Sequence, residues 1–381
     1  MYQSRLEEWF AQSIKEKVLK QSDSLGSLAK LTIVILSYGR QDFLLRQVVY
    51  WKGTAVKLVI ADGSPQAISD NVLEVFSTQP NLKYLHMPDT HSARARMAAK
   101  YIHTPYAIFL GDDEFHLKTG LSRAIDKLEK DISFVACIGQ SLSFCPDGDG
   151  TTVTYGTGYD HRGYEVVQDG VKERLLFAMS NYNAASSYAV YREPFLSSSW
   201  ELTSEWSSPY AYELQHAIHT YIMGKLTSVD EVYWLRSYEN PPISIENVLD
   251  RKLSFSEWWS VPKFQPERES FVEILANEIV NTGQIDHEQA KQIILEAMDS
   301  YLEFTATKAQ AAASIKKNPR FIISKLLRTL LSEKQVLGLK SMMGMKKVVG
   351  NLGSLNEDTA SELAEVETLI SDFYRARLDK K

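Results

Sequence analysis

Cysteine is nearly absent: Cys137 and Cys145 are the two in 381 residues. Two thiols cannot frame a chain of this length with disulfides, and such usage points to a reducing compartment. No apolar run approaches the roughly 18 residues of a spanning helix, and the opening Met1 to Leu6, followed by Glu7 and Glu8, lacks the basic and apolar regions of an export signal. A cytoplasmic protein is therefore expected. Net positive charge is also missing: the formal charge is −6, which argues against nucleic acid as a partner. No GxxxxGK[ST] phosphate loop occurs, since Gly224-Lys225-Leu226 lacks the upstream glycine and the hydroxyl. The glycines at Asp147 to Gly150 and Gly156 to Gly163 follow no strand that runs into a GxGxxG helix start, so they read as hairpin turns rather than a dinucleotide fingerprint.

What is present is a globular composition, 44% hydrophobic and 24% charged, enough to bury a large core. Charge is unevenly spread. Between Ile315 and Gly350 there are nine cations and a single anion, Glu333, on an otherwise acidic chain. Within that stretch Ile322, Ile323, Leu326, Leu327, Leu330 and Leu331 fall on one helical stripe among Arg320, Lys325 and Arg328. A basic amphipathic helix of this kind suits an anionic membrane surface. The alternative is a stripe packed on the rest of the protein with its cations facing water.

Hydrophobic periodicity divides the chain into three parts. Residues 1–29 carry Leu6, Trp9, Phe10, Ile14 and Val18 at helical spacing, an N-terminal helix packed on something larger. Residues 30–250 alternate short β-branched runs with helical stretches: strands at Leu31 to Leu36, Val56 to Ile60, Leu82 to His86 and Tyr106 to Leu110, with helices at 69–78 and Ser92 to Ile102. This alternation predicts an α/β fold with a mainly parallel sheet covered on both faces. Residues 251–381 are helical in pattern, with helices predicted at 267–281, 287–313, 319–332, 334–348 and 356–378. In the last of these Leu363, Val366, Ile370 and Phe373 form a stripe that either packs internally or makes a homodimer seam.

The fourth strand ends in Gly111-Asp112-Asp113-Glu114. Three adjacent carboxylates repel one another unless water or a shared cation relieves them, and a hard ion such as Mg²⁺ or Mn²⁺ would suit oxygen ligands. A solvated acidic turn is the plain alternative. Two further strand ends strengthen the first reading: Ser37-Tyr38-Gly39-Arg40 follows the first strand and Asp62-Gly63-Ser64 the second, at the edge where open α/β sheets bind ligands. Arg94 and Arg96 then open a helix with two planar cations suited to phosphate, plain surface cations being the alternative for each taken separately.

The order Thr32-Ile-Val-Ile-Leu-Ser-Tyr-Gly-Arg40, Val59-Ile-Ala-Asp-Gly-Ser64, Ala93-Arg-Ala-Arg96 and Thr104-Pro-Tyr-Ala-Ile-Phe-Leu-Gly-Asp-Asp-Glu-Phe115 resembles the nucleotide-sugar-binding half of GT-A glycosyltransferases of the family 2-like group. The match spans about residues 31–116, and four elements arrive in the family's order. The resemblance implies a GT-A catalytic domain and a divalent metal, Mn or Mg. It implies that Tyr38 and Arg40 lie beside the nucleotide, that Asp62 holds base or ribose, that Arg94 or Arg96 fixes the nucleotide, and that the acidic motif binds the metal on the diphosphate. Gly111 stands where the family usually has Asp, so metal and donor contacts are drawn from Asp112, Asp113 and Glu114, with Asp113 first. Ala95 or Met97 stands where the family has Asn.

The same resemblance places a catalytic carboxylate before a helix in the second half of the domain. Glu213 and Glu205 are the candidates, Glu213 preferred because the Glu-Leu pair precedes Gly224-Lys225 at the family's spacing; an ordinary helix-start glutamate is the alternative for either. Asn181 to Tyr188, rich in amides and aromatics, reads either as acceptor lining or as a buried strand. Glu213, His216 and His219 share a helix face, but a lone ExxH is a weak metal motif. The implied activity is a metal-dependent, inverting transfer of sugar from a nucleotide-sugar donor to a glycan or lipid-linked acceptor, peripheral to the membrane's inner face through 316–349. A nucleotidyltransferase and a catalytically inactive binding module are the competing readings.

Overall fold

The computed structural model describes residues 2–16, 23–240, 253–283, 285–316 and 356–378. The expected strands and helices of the first half form with small boundary shifts. Strands β1 (Leu31–Ser37), β2 (Lys57–Asp62), β3 (Leu82–His86) and β4 (Tyr106–Leu110) run parallel in the order β3-β2-β1-β4, in register from Thr32 opposite Lys57 and Ala107. β1 is buried along its whole length, as a central strand covered on both faces must be. Helices α1 (Tyr2–Lys15), α2 (Gln41–Trp51), α3 (Asp70–Ser77), α4 (His91–Ala99) and α5 (Lys118–Lys130) accompany these strands.

Beyond residue 110 the sheet turns mixed. The acidic turn leads into a two-residue strand, β5 (Phe115–His116), and a long strand, β6 (Phe134–Pro146), folds back through a tight turn onto β7 (Val153–Thr157). The turn between them uses Gly150 at φ +71°, the left-handed region glycine tolerates, so the glycines read as a hairpin do make one. β8 (Val190–Arg192) joins β4 to β6 by antiparallel ladders, and β9 (Lys225–Ser237) lies parallel to β6 and antiparallel to β5. β6 extends as far as Pro146 because β7 and β9 flank it there and supply partners for its backbone.

The helices that follow are α6 (Val171–Ser180), α7 (Phe195–Glu201), α8 (Pro209–Met223), α9 (Phe255–Ser260), α10 (Gln265–Asn281), α11 (His287–Lys316) and α12 (Glu357–Arg377). α9 opens with a capping box between Ser254 and Glu257. α10 and α11 pack on each other, on α8 and on α6. α12 goes elsewhere, to α1, α2 and α5. Its stripe Leu363, Val366, Ile370 and Phe373 is buried within the chain, each such side chain contributing about 1.5–3 kcal/mol. The internal alternative for that stripe therefore holds, and it is not exposed as a homodimer seam. α12 starts at Asn356, whose side chain accepts from the Thr359 amide at 2.8 Å, and ends with Arg375 and Arg377 facing the negative pole of the helix.

The helices predicted at 319–332 and 334–348, and the basic stripe between 316 and 349 apart from the helix end at Lys316, lie outside the described residues. Among the described residues no helix is long and apolar enough to cross a membrane.

Candidate active site

The carboxyl ends of β1, β2 and β4 meet at one edge, as predicted from their sequences. At the end of β4 the chain makes a tight turn, the Glu114 amide donating to the Gly111 carbonyl at 3.2 Å. A Cβ built on Gly111 would lie 2.9 Å from Glu114 Oε2, so glycine here lets the Glu114 side chain fold back over the turn. Asp112 and Asp113 share one partner, and Glu114 has another. Asp112 accepts from Ser37 Oγ at 2.8 Å and from Arg40 Nη1 at 3.5 Å. Asp113 accepts from the same Arg40 nitrogen at 3.2 Å and from Asn240 Nδ2 at 2.9 Å, while Glu114 accepts from Trp234 Nε1 at 3.0 Å.

Burial and crowding tune these groups. Removal from water, then the neighbouring charge of Asp113, pushes Asp112 up to about 7 against the opposing pull of Arg40 and Ser37. The same two causes push Glu114 up to about 8, against its bond from Trp234. Both carboxyls are thus held toward their neutral forms, by burial first and by the charge of Asp113 second. Among the described residues no three acidic, cysteine or histidine side chains converge on one point, so an ion at this turn would take at most two ligands from these residues.

A cleft of about 460 Å³ opens beside the turn. Arg40, Asp112, Asp113 and Glu114 line one part of it, and Tyr188, Tyr212, Glu213 and Arg236 line another. Glu213, in the first turns of α8, accepts the Tyr182 hydroxyl at 2.5 Å. Burial raises its pKa, while the bond from Tyr182 and the charge of Arg236 pull it down. Glu205 is placed differently: it is exposed, accepts from the α4 cap residue Thr90 at 2.6 Å, and is not part of the cleft lining.

The other predicted residues divide by what they touch. Tyr38 is partly exposed just beyond β1. Asp62 is wholly buried, its oxygens accepting from Ser64 N at 2.9 Å, Ser64 Oγ at 2.5 Å, Gln41 Nε2 at 2.7 Å and Tyr84 OH at 2.8 Å. Arg94 turns inward and donates to the Ser37 and Ala61 carbonyls, tying the ends of β1 and β2. Arg96 donates to the Thr203 carbonyl at 2.7 Å. Neither Asp62 nor these two arginines lines the cleft. Residues 184–188 form a short 3-10 turn rather than a strand, and Ala184, Ser187 and Tyr188 from it line the cleft. His216 is satisfied by Ser199 Oγ at 2.7 Å and Tyr191 OH at 3.0 Å and is held neutral by burial, with a pKa lowered to about 3. His219 lies 3.4 Å from Glu278 and is buried, whereas Glu213 and His216 on the same helix line the cleft.

Several cleft residues escape a local reading of the sequence. β5 pairs with β9 with Phe115 opposite Leu235, which brings the end of β9 against the acidic turn. β9 thereby delivers Trp234, Arg236, Glu239 and Asn240. Trp234 stacks on Tyr188 with ring centroids 4.0 Å apart. Arg236 lies over the rings of Tyr159 and Tyr238 and donates to Tyr159 OH at 3.3 Å. Among the described residues no carboxylate pairs with it, though its charge acts on Glu114, Glu213 and Tyr188 alike. An apolar-aromatic run at the end of a strand gives packing as its first reading, and only the β5–β9 pairing reveals otherwise.

Solved structures of TarS from S. aureus are similar to this chain. Its 1–349 form is 14% identical, with 91% of this chain and 90% of that one covered and a TM-score of 0.45. The same form in complex with UDP gives 14%, 91%, 90% and 0.46, and in complex with UDP-GlcNAc 13%, 74%, 92% and 0.43. No protein-family model matches the chain, and no curated protein matches it in sequence.

Proposed function

We propose that the chain is a glycosyltransferase that moves a sugar from a nucleotide-sugar donor to an acceptor hydroxyl with inversion. The observation that carries this reading is a single cleft lined by the acidic turn Asp112-Asp113-Glu114, by the half-buried carboxylate Glu213 and by Arg236, a cation that no carboxylate among the described residues pairs with. Displacing a nucleoside diphosphate requires positive charge where the phosphates depart and a base for the acceptor hydroxyl, and those are the two kinds of group this cleft supplies.

In this reading Arg236 faces the diphosphate. Its guanidinium carbon lies 5.7 Å from the Tyr159 ring centroid and 5.6 Å from that of Tyr238, and no carboxylate among the described residues neutralises it, which leaves its charge for the departing phosphates. Arg40, tied to Asp112 and Asp113, adds a second cation at the donor side. Glu213 takes the proton from the acceptor hydroxyl, its pKa raised by burial toward the operating range of a general base. Glu205, outside the cleft lining, is the weaker candidate for that role. Tyr188 and Tyr212 offer ring surfaces to the sugars.

A divalent metal fits the donor set. Asp112 and Glu114 are driven toward neutrality by burial and by the charge of Asp113, and a hard cation beside the turn would relieve both. Asp113 and Asp112 would hold Mn²⁺ or Mg²⁺, with remaining positions left to phosphate and water oxygens, the usual state of Mg²⁺ in phosphate sites. When bound, the ion would neutralise charge on the departing diphosphate. The acceptor reading, a glycan or lipid-linked sugar at a membrane surface, rests on the basic amphipathic sequence of 316–349.

The test is thermal stability against UDP, GDP, CDP, dTDP and CMP with and without Mn²⁺, alongside Asp113→Ala. A nucleotide that binds the folded state raises the melting temperature by mass action. Support is a shift with one nucleotide that needs metal and disappears in Asp113→Ala, followed by slow metal-dependent release of free sugar from the corresponding nucleotide sugar. A well-folded protein with no shift for any nucleotide would overturn the reading.

A further inference from the structure

Behind the acidic turn lies a buried ion pair that the proposed chemistry does not use. Arg46, on α2, and Glu239, just after β9, are both wholly buried as side chains and join through two parallel bonds, Nη1 to Oε1 at 2.7 Å and Nη2 to Oε2 at 2.6 Å. Arg46 Nη2 also donates to the backbone carbonyl of Asp113 at 2.9 Å. Its neighbour Gln47 donates to the carbonyls of Asp112, at 3.1 Å, and Glu114. All three carbonyls of the turn are therefore gripped by two consecutive side chains of one helix. Glu239 is followed by Asn240, whose amide reaches the Asp113 carboxylate itself at 2.9 Å.

α12 completes the arrangement. Tyr374 donates its hydroxyl to Glu239 Oε1 at 3.2 Å, and Phe373 lies under the Arg46 guanidinium at 5.0 Å, beside Phe43 at 4.7 Å and Phe115 at 4.8 Å. Arg46 Nε has no hydrogen-bond partner among these rings. A buried pair of this sort is a poor source of stability: removing two charges from water costs several kcal/mol per ion, and apolar replacements of similar volume are often neutral or stabilising. Its geometry serves better to fix position, since a planar fork held on both sides admits one orientation.

We propose that Arg46 and Glu239, braced by Tyr374 of the C-terminal helix, are positioning residues that hold the acidic turn in the geometry needed to bind the donor diphosphate and its metal. The proposal rests on the transferase reading for its ligand, and on the turn alone for its geometry.

The decisive variant is the double substitution Arg46→Met with Glu239→Leu in the full chain, which removes both charges together and leaves neither unpaired. Two readouts are taken: the Mn²⁺-dependent shift with the nucleoside diphosphate that stabilises the parent, and amide hydrogen exchange across residues 111–116. The expected result is a melting temperature equal to or above the parent's, nucleotide affinity weakened about tenfold or more, and exchange across 111–116 faster by about tenfold. Unchanged exchange in a folded double variant overturns the proposal. If no nucleotide shifts the parent, the transferase reading fails separately, and exchange at 111–116 still decides whether the turn is held. Should the double variant not fold, Tyr374→Phe keeps the ring and removes only the hydroxyl. A rise in exchange at 111–116 with an unchanged melting temperature supports the brace, and no rise overturns it.

Discussion

Tyr182 donates its hydroxyl to Glu213 across 2.5 Å, joining the loop after α6 to the first turns of α8 beneath the cleft. The bond favours the ionised carboxylate, while burial favours the neutral acid. A base works in its ionised form, so the balance of the two sets the acid side of the pH profile. In Tyr182→Phe the opposing bond is gone, the pKa of Glu213 rises further, and the acid limb of kcat/KM moves to higher pH. Glu213→Gln removes the proposed base: turnover is expected to fall by about 10²- to 10⁴-fold with nucleotide binding retained. A limb that stays in place in Tyr182→Phe, or near-normal turnover in Glu213→Gln, would assign the base elsewhere, with Glu205 next to be tested.

Arg236→Ala should lower turnover about 10²- to 10³-fold, since a preoriented cation at a departing charge has that order of effect. The same substitution removes a charge that pulls Glu213 down, so the acid limb should again move to higher pH. Steady-state rates across pH check both effects. A loss confined to KM, with kcat and the limb unchanged, would reduce Arg236 to ground-state binding.

Gly63→Ala addresses the second strand end. The added Cβ would fall 2.6 Å from Arg94 Cζ, and Arg94 is held by the Ser37 and Ala61 carbonyls, so relief requires breaking bonds that tie β1 to β2. A loss of about 1–3 kcal/mol in urea unfolding is expected. An unchanged midpoint would mean that Arg94 relocates without cost.

Glu362→Ala tests the docking of α12. The Glu362 carboxylate caps the start of α5, accepting from the amides of Lys118 and Thr119 and from the Thr119 hydroxyl. Removing it leaves buried donors unsatisfied, with an expected cost of about 1–3 kcal/mol. Denaturant unfolding of the full chain measures this directly.

The strands of the first half were legible because each is a short β-branched run closed by a polar turn, and parallel order follows once helices intervene. The acidic turn was legible because it closes a strand, where sequence pattern is sharpest, whereas Glu213, inside α8, was singled out only through the resemblance. What lies between them was not. Asp62 stands at a strand end like Asp112, yet four donors surround it, and nothing in Asp-Gly-Ser foretells Gln41 or Tyr84 arriving. Arg94 has the placement of a surface cation and the surroundings of a core residue. Arg46 sits inside an apolar helix, and Glu239 and Arg236 follow an aromatic strand. Their roles arise from strand pairing and from a helix more than a hundred residues further along, contacts that periodicity within one segment does not encode.

The bracing of Glu239 by Tyr374 also sets an order of events during synthesis. Arg46, the acidic turn and Glu239 are all translated well before Tyr374, and translation at about 5–20 residues per second separates the turn from its brace by tens of seconds. Once Asn240 has been added, a nascent chain carries every residue lining the cleft while the contact from Tyr374 to Glu239 is still missing. On the proposed role of the brace, the grip on a donor is therefore completed late, when α12 packs onto α1 and α2.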